Sequence, residues 1–219
     1  MIRAALFDLD GTLNNTLYDI GNAMNWALEK NGLPTWPITD YRYMVGNGAK
    51  VLAQRAVGGR ADLAAQVHRD YQGRYETHSL VKTQPYPGIP ELLRGLAARG
   101  IALCVLSNKP DADTRNVIQH FFPNTDFAVV RGQLEGVPLK PDPTAALDIA
   151  RQLGIQPGDF VYLGDTSVDM TCARNAGMVP VGVRWGFRDE QELRESGAEL
   201  ILSRPEELLE WLDHSQICL

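Results

Sequence analysis

Residues 4–13 read Ala-Ala-Leu-Phe-Asp-Leu-Asp-Gly-Thr-Leu, and this stretch decides the fold. Its apolar start, Ala4 to Phe7, is typical of a buried strand that stops at the edge of a sheet. Asp8 and Asp10 follow, and because strand side chains alternate between faces, the two carboxylates are predicted to project to the same side. Like charges at that separation repel unless one is protonated or a cation lies between them. An isolated Asp-x-Asp-Gly is equally compatible with an ordinary strand end and turn.

The composition limits the classes of protein. With 219 residues, 44% hydrophobic and 22% charged, the chain can bury one core, or one core and a smaller unit. The net charge of −6 and the scattered basic residues argue against a nucleic-acid partner. The sequence enters its first strand at once, and no apolar run approaches the roughly 20 residues of a membrane span, so we expect a cytoplasmic protein without a membrane partner. Cys104, Cys172 and Cys218 are odd in number and lack Cys-x-x-Cys spacing, which disfavours a disulfide framework or a zinc site.

The pattern of elements predicts two units. Apolar residues at helical spacing follow the first strand, and no strand pattern appears before Val81. Beyond residue 83, strands alternate with helices, which predicts right-handed crossovers and a parallel sheet. The fold class is therefore α/β, with a Rossmann-like parallel sheet as the core and an inserted all-α helical cap. We place the core at residues 1–15 and 83–219 and the cap at residues 16–82, since an all-helical stretch of that length is too long for a normal connection.

Polar clusters follow several predicted strands. In an open parallel sheet, ligands bind beyond the carboxyl ends of the strands. The clusters that follow the first motif in chain order are Ser107-Asn108-Lys109, Lys140-Pro141 and the segment from Gly164 to Asp169. Taken singly, each has an ordinary explanation as a capping turn, a solvated lysine or a helix cap. Taken together, the clusters predict a site for a tetrahedral anion. They supply carboxylates suited to Mg²⁺, a hydroxyl, backbone N–H groups and an ammonium.

These four clusters resemble the motifs of the haloacid dehalogenase superfamily. The matching segments are Asp8 to Leu13, Ser107-Asn108, Lys140-Pro141, and Gly164-Asp165 to Asp169. Finer features resemble the phosphoglycolate phosphatase branch of that superfamily, namely Val45-Gly46-Asn47-Gly48 with Leu52 and Arg55, Pro85-Tyr86-Pro87-Gly88, and Ser107-Asn108-Lys109-Pro110. Asn15 stands where the family commonly has an aspartate, a change that keeps the shape and removes a charge. The resemblance spans nearly the whole chain and implies an inserted helical cap.

The resemblance also implies the roles of the acidic residues. Asp8 is expected to be the nucleophile that forms an aspartyl phosphate, a known use of carboxylates. Asp10 is expected to protonate the leaving oxygen and later to deprotonate the attacking water. The implied Mg²⁺ ligands are the carboxylates of Asp8 and Asp165 and the backbone carbonyl of Asp10. Asp169 is expected to lie behind them and to orient metal-bound water or Lys140.

The remaining predicted residues would bind the substrate. Lys140 is expected to neutralise the phosphoryl charge, together with the metal. Three further groups are expected to hold the phosphoryl oxygens: the Ser107 hydroxyl, the Asn108 N–H and, at the turn, Thr12. In the cap, the loop Gly46-Asn47-Gly48 is predicted to approach a small substrate, and Arg55, if it reaches inward, would pair with a substrate carboxylate. A plain glycine turn beside solvated cations is the alternative for this loop.

The expected function is the Mg²⁺-dependent hydrolysis of a small phosphorylated metabolite, with 2-phosphoglycolate first, by a monomer or homodimer. A phosphosugar mutase or phosphosugar phosphatase shares all four motifs and is the alternative. Asp10 disfavours a dehalogenase, because carbon–halogen displacement needs no acid for its leaving group. A phosphonate hydrolase would need a cap lysine, for which only Lys50 is a loose candidate, and a non-catalytic binding protein is least expected.

Overall fold

A computed structural model describes residues 1–215 of the chain as a parallel sheet flanked by helices. The six strands of the sheet are β1 (Ala4–Phe7), β4 (Ala102–Pro110), β5 (Phe127–Gln133), β6 (Phe160–Gly164), β7 (Val179–Val183) and β8 (Leu200–Leu202). Their order across the sheet is β5-β4-β1-β6-β7-β8, and all neighbours are parallel. The predicted α/β class and parallel sheet are confirmed. Residues 216–219, and with them Cys218, lie outside the described part of the chain.

The first strand is central because it is apolar on both faces. Ala5 and Phe7 pack into one hydrophobic cluster, and Ala4 and Leu6 pack into another on the opposite face. Helices cover both faces, as all-parallel sheets require. They are α4 (Ile89–Ala98), α5 (Asp111–Phe121), α6 (Thr144–Leu153), α7 (Ser167–Ala176), α8 (Glu190–Glu195) and α9 (Glu207–Ser215). From β1 the chain goes first to β4 on one side and later to β6 on the other, so the strand order reverses beside β1, where ligands bind in such sheets.

The segment between β1 and α4 carries helices and no long strand. Its α-helices are α1 (Leu17–Lys30), α2 (Ala49–Ala56) and α3 (Ala64–His78). These helices share a third hydrophobic cluster that includes Met24, Leu52 and Tyr75 and is joined by Phe187 from the rest of the chain. The separate cluster supports the predicted cap, whose boundaries at residues 16 and 82 remain a prediction.

Two short strands mark where the chain enters and leaves this helical segment. These strands, β2 (Asn14–Asn15) and β3 (Gln84–Pro85), pair antiparallel, so the two connections run side by side. Buried Asp19 of α1 strengthens the return connection by accepting hydrogen bonds of 2.8–2.9 Å from the backbone N–H groups of Lys82 and Thr83 and from the Thr83 hydroxyl.

The structure differs from the sequence prediction at the end of β4. The apolar run from Ile101 to Leu106 predicts a strand that ends at Leu106, whereas β4 continues to Pro110. Its pairing with β5 shifts register between Leu106 and Pro110, so an irregular ladder carries the strand through the polar residues. Cys104 and Cys172 are buried and carry free thiols. Within residues 1–215, no helix has both the length and the apolar character to cross a membrane.

Candidate active site

Three buried carboxylates meet where β1 and β6 end. Asp8 follows β1, and its backbone N–H donates to the Leu163 carbonyl at 2.9 Å, which ties it to β6. Asp165 follows β6, and Asp169 lies in the first turn of α7. One carboxylate oxygen from each of the three lies within 4.8 Å of the others. The parallel pairing of β1 with β6 therefore brings together acids that lie far apart in the sequence.

Lys140 supplies a positive charge to this cluster. Its Nζ lies 2.9 Å from Asp8 Oδ1 and forms an ion pair with it, although the angles are not those of a hydrogen bond. The same Nζ donates hydrogen bonds to Asp169 Oδ1 at 2.8 Å and to the Leu106 carbonyl at 3.1 Å. Burial opposes the charge on Lys140, but the carboxylates of Asp169 and Asp8 together raise its pKa. The lysine is therefore charged at neutral pH. Its peptide bond to Pro141 is cis.

Asp169 is fixed by the start of α7. Its Oδ2 accepts from the Thr166 N–H at 3.2 Å and from the Thr166 hydroxyl at 2.7 Å, which forms a capping box. Its Oδ1 holds Lys140. Asp169 thus holds the lysine beside Asp8, and its supporting role in the site stays a prediction.

Asp165 lies in a cradle of glycines. Its Oδ2 accepts from the Phe187 N–H at 2.8 Å, and its Oδ1 accepts from the Thr12 hydroxyl at 3.3 Å. A Cβ atom on Gly11 would lie 2.2 Å from Asp165 Oδ2, and one on Gly186 would lie 2.2 Å from Asp165 Cβ. Neither position tolerates a side chain while Asp165 stays in place. Sequence reasoning missed Gly186, which belongs to no motif that it used.

The acidic cluster fits a divalent cation such as Mg²⁺. Burial raises the pKa of Asp8 to about 7, even though Lys140 lowers it, and the charge on Asp169 adds to the rise. Burial, then Asp169 and Asp8, hold the pKa of Asp165 well above its usual range. Three buried carboxylates share one ammonium, so a hard dication with oxygen ligands would balance the remaining charge. Asp8, whose Oδ1 has no hydrogen-bond partner among the described residues, is open to such a cation, and Asp165 lies beside it in the same cluster.

We expect this cluster to make the metal-free protein less stable as the pH rises from about 4 to about 7. An unfolded Asp8 releases its proton near pH 3.8, whereas the folded one keeps it until about 7, so over this range the unfolded state binds fewer protons and the free energy of unfolding falls. Lys140 is charged in both states and adds no slope. The expected loss is about 2–4 kcal/mol.

Denaturant unfolding in a chelator, followed across this pH range, measures the loss. Asp8→Asn is the control: it removes one titrating group, so its free energy of unfolding should change less with pH. Because Mg²⁺ binds the ionised carboxylates, adding it should stabilise the protein more at pH 7 than at pH 5. Equal Mg²⁺ stabilisation at both values would contradict this account of the cluster.

Asp10 is not part of the cluster formed by Asp8, Asp165 and Asp169. Both of its oxygens accept from Lys109 Nζ, at 2.9 and 3.0 Å. The Lys109 side chain is 4% exposed, and its ammonium lies 4.6 Å from the centre of the Tyr75 ring of α3. The prediction that the Asp10 side chain stays off the metal is therefore compatible with its position. Sequence reasoning gave Lys109 no role, although it adjoins a recognised motif.

The side chain of Asn108 connects three parts of the site. Its Nδ2 donates to the carbonyls of Gly46 at 2.9 Å and Lys140 at 3.0 Å, and its Oδ1 accepts from the Lys140 N–H at 2.9 Å. Asn108 thus fixes the backbone beside the lysine and ties it to the helical segment. The hydroxyl oxygen of Ser107 accepts from the Lys109 N–H at 3.3 Å, which leaves its own O–H to donate.

A cavity lies between the carboxyl ends of the strands and the helical segment. The groups that face it from the sheet are those of Asp8, Asp10, Ser107, Asn108, Lys109 and Lys140. The opposite wall includes Gly46, Gly48, Ile20, Leu52, Tyr71 and Tyr75. The cavity is thus charged at its floor and mainly apolar or aromatic on the helical side.

Three predicted substrate ligands lie off this wall. Arg55 donates to the Met44 carbonyl at 2.7 Å. It also donates to Asn47 Oδ1 at 2.9 Å, so the side chains of Arg55 and Asn47 bind each other. Thr12 is buried against Asp165. None of the three is among the residues that line the cavity, and their roles toward a substrate stay predictions.

Comparisons with known proteins agree with this geometry. Residues 5–183 match the family described as haloacid dehalogenase-like hydrolase. The chain is 32% identical to N-acetylmuramic acid 6-phosphate phosphatase of Pseudomonas aeruginosa, over 98% of this chain and 96% of the relative. It is 30% identical to phosphoglycolate phosphatase of Pseudomonas putida, over 91% of this chain and 76% of the relative. The crystal structure of a predicted phosphoglycolate phosphatase from Haemophilus somnus superposes with a TM-score of 0.89, at 27% identity, over 96% of this chain and 98% of that one.

Proposed function

The chain belongs to the family of haloacid dehalogenase-like hydrolases, and on this premise we propose that it is a Mg²⁺-dependent phosphatase that hydrolyses a small phosphomonoester through an aspartyl phosphate on Asp8. The observation that carries the proposal is the placement of Asp8 beside Lys140 and Asp165 at the end of the central strand. A nucleophile, a cation for phosphoryl oxygens and acidic metal ligands then share one cavity floor.

In the first step, an oxygen of Asp8 attacks the phosphorus atom in line with the leaving oxygen. A carboxylate approaches a phosphoryl group only when the negative charge of that group is neutralised. Lys140, held against Asp8 at 2.9 Å, supplies part of this charge. When bound, Mg²⁺ neutralises charge on the carboxylates and on the phosphoryl oxygens. The Ser107 hydroxyl and the Asn108 N–H bind the remaining oxygens.

Asp10 moves the protons in both steps. A proton on its carboxyl group goes to the leaving oxygen as the bond to phosphorus breaks. The resulting carboxylate then takes a proton from the water that attacks the phosphoryl group on Asp8. Its side chain faces the cavity outside the acidic cluster, where Lys109 Nζ holds both of its oxygens, and its backbone carbonyl is proposed as a metal ligand.

We propose 2-phosphoglycolate as the preferred substrate. Support comes from the relatives that bear the name phosphoglycolate phosphatase and from two lysine ammonium groups within one small cavity. A phosphosugar is the second candidate, because one relative that aligns over 96% of its length is named for an amino-sugar phosphate and because aromatic rings line the helical wall. The partner is in either case a small phosphorylated metabolite, and a cytoplasmic location remains a prediction.

A substrate panel tests the proposal. Phosphate release in the presence of Mg²⁺ is measured with 2-phosphoglycolate, N-acetylmuramic acid 6-phosphate, glucose 6-phosphate, a nucleoside monophosphate and pyrophosphate. We expect kcat/KM for 2-phosphoglycolate to exceed the others by about tenfold or more, which is about 1.4 kcal/mol of selectivity. A chelator should abolish the activity. If kcat/KM is highest for a phosphosugar by the same margin, the phosphosugar is the substrate and 2-phosphoglycolate is not. Phosphate transfer within glucose 1-phosphate would indicate a mutase.

A further inference from the structure

The cavity contains a second buried lysine for which the proposed chemistry has no role. Lys109 lies against the carboxylate of Asp10, and its side chain is 4% exposed. Burying an ammonium lowers the stability of the folded protein unless opposite charge and hydrogen bonds compensate it. A buried lysine with no function in the cavity would therefore be destabilising. Asp10 supplies one counter-charge, and the aromatic face of Tyr75 lies at 4.6 Å.

The ammonium of Lys109 keeps one donor for a ligand. A lysine has three N–H groups, and the hydrogen bonds of Nζ within residues 1–215 go only to the two oxygens of Asp10. Tyr75, whose hydroxyl has no hydrogen-bond partner in this same part of the chain, also lines the cavity. Lys109 on the sheet side and Tyr75 on the helical wall thus line the same cavity, with the ammonium 4.6 Å from the centre of the tyrosine ring.

Lys140 and Arg55, the other cations proposed to contact the substrate, are already engaged. Lys140 binds Asp8 and Asp169 at the phosphoryl end. Arg55 donates to Met44 and Asn47 and lies off the wall. Among the described residues, Lys109 and Lys140 are the basic side chains that line the cavity. A negative group on the leaving half of a substrate thus has Lys109 as its nearest available cation.

The distances at Asp10 allow such a group to reach Lys109. A proton donor lies about 2.6–3.2 Å from the atom that it protonates, so the leaving oxygen lies about 3 Å from the Asp10 carboxyl group. Lys109 Nζ is within 3.0 Å of both oxygens of that group. In 2-phosphoglycolate one methylene separates the leaving oxygen from the carboxylate, whose oxygens are then roughly 3 Å away from it. This short span brings the carboxylate within reach of the ammonium.

We propose that Lys109 is the specificity-determining residue that binds the carboxylate of the substrate's leaving group. The inference rests on the proposed phosphatase function and adds the residue that would recognise the acid. Asp113 also lines the cavity, and burial raises the pKa of its carboxyl group while Lys109 lowers it.

The test compares two substrates that differ only at this group. The value of kcat/KM is measured for 2-phosphoglycolate and for 2-hydroxyethyl phosphate, in which a neutral CH₂OH replaces the carboxylate. In Lys109→Met we expect the preference for 2-phosphoglycolate to fall by about 10- to 100-fold, the effect of losing a charge-assisted hydrogen bond. Lys109→Arg should retain part of the preference. Lys50→Met, which removes an exposed lysine of α2, should keep all of it.

A binding measurement covers the case in which the Lys109 variants do not turn over. Calorimetry in the Asp8→Asn background gives the ratio of affinities for the same two esters, and adding Lys109→Met should reduce that ratio by a similar factor. A wild-type enzyme that does not prefer 2-phosphoglycolate to the neutral ester would show that the proposed substrate is wrong.

Two other outcomes would leave the substrate intact and overturn the inference about Lys109. In the first, the wild type shows the preference and Lys109→Met loses activity equally on both esters, so that the lysine acts only through Asp10. In the second, the preference disappears in Arg55→Met and persists in Lys109→Met, which would assign the carboxylate to Arg55.

Discussion

Replacing Asp8 with asparagine is expected to lower Mg²⁺-dependent phosphate release by about 10⁴-fold or more. The amide has nearly the same shape as the carboxylate but is a very poor nucleophile toward phosphorus. The fold should persist, because Asp8 sits after a strand whose pairing with β4 and β6 uses only backbone atoms. The substitution also removes one of three buried like charges. The measurement is single-turnover phosphate release with enzyme in excess.

Controls separate chemistry from folding in this variant. Its thermal unfolding midpoint should lie within a few degrees of the wild type, and it should still bind inorganic phosphate, because Ser107, Asn108 and Lys140 remain. Activity within about tenfold of the wild type would rule out Asp8 as the nucleophile.

The second large effect is expected from Lys140→Met. This change removes the ammonium that contacts Asp8 and Asp169 and leaves the three carboxylates of the cluster without its compensating charge. Removing one partner of a buried ion pair costs about 3–5 kcal/mol of unfolding free energy. Phosphate release should also fall by about 10³-fold or more, because the charge beside the phosphoryl group is lost.

The stability loss should depend on pH and metal. It should be smaller at pH 5 than at pH 8, because without Lys140 the pKa of Asp8 rises further and the carboxyl groups stay protonated at the lower pH. Mg²⁺ should restore part of it at pH 8. Lys50→Met, which removes an exposed lysine, is expected to change stability by no more than about 0.5 kcal/mol. An unfolding free energy for Lys140→Met that equals the wild-type value in a chelator would contradict the proposed electrostatics.

The acidic cluster was accessible to sequence reasoning because topology alone assembles it. An apolar run before Asp8 and another before Asp165 predict two buried parallel strands, and the carboxyl ends of such strands share one edge. This prediction does not require knowing which strands pair with each other. The same reasoning located alternating helices and strands, whose hydrophobic periodicity is strong. It predicts a helix from Thr144 to Leu153 and a strand from Val179 to Val183, which are the observed bounds of α6 and β7.

Contacts that depend on side-chain direction were not accessible in the same way. Nothing local to Lys109 indicates that it reaches Asp10, because this contact requires the bulged end of β4 and the ring of Tyr75 from a helix far away in the sequence. Arg55 could reach inward or bond to the Met44 carbonyl one turn before α2, and spacing does not distinguish these directions. The paired strands β2 and β3 are two residues each, too short for any alternation to appear.

The most direct test of the central claim is to trap the phosphoryl group on Asp8. Asp10→Asn is mixed with an aryl phosphate and Mg²⁺, because an aryl oxygen leaves without a proton whereas the second step still needs a base. We predict a burst of aryl alcohol equal to the enzyme concentration, slower release of phosphate, and, after acid quench and proteolysis, a phosphoryl group on the peptide that contains Asp8. Simultaneous release of alcohol and phosphate with an unmodified Asp8 peptide, or a phosphoryl group on another residue, would contradict it.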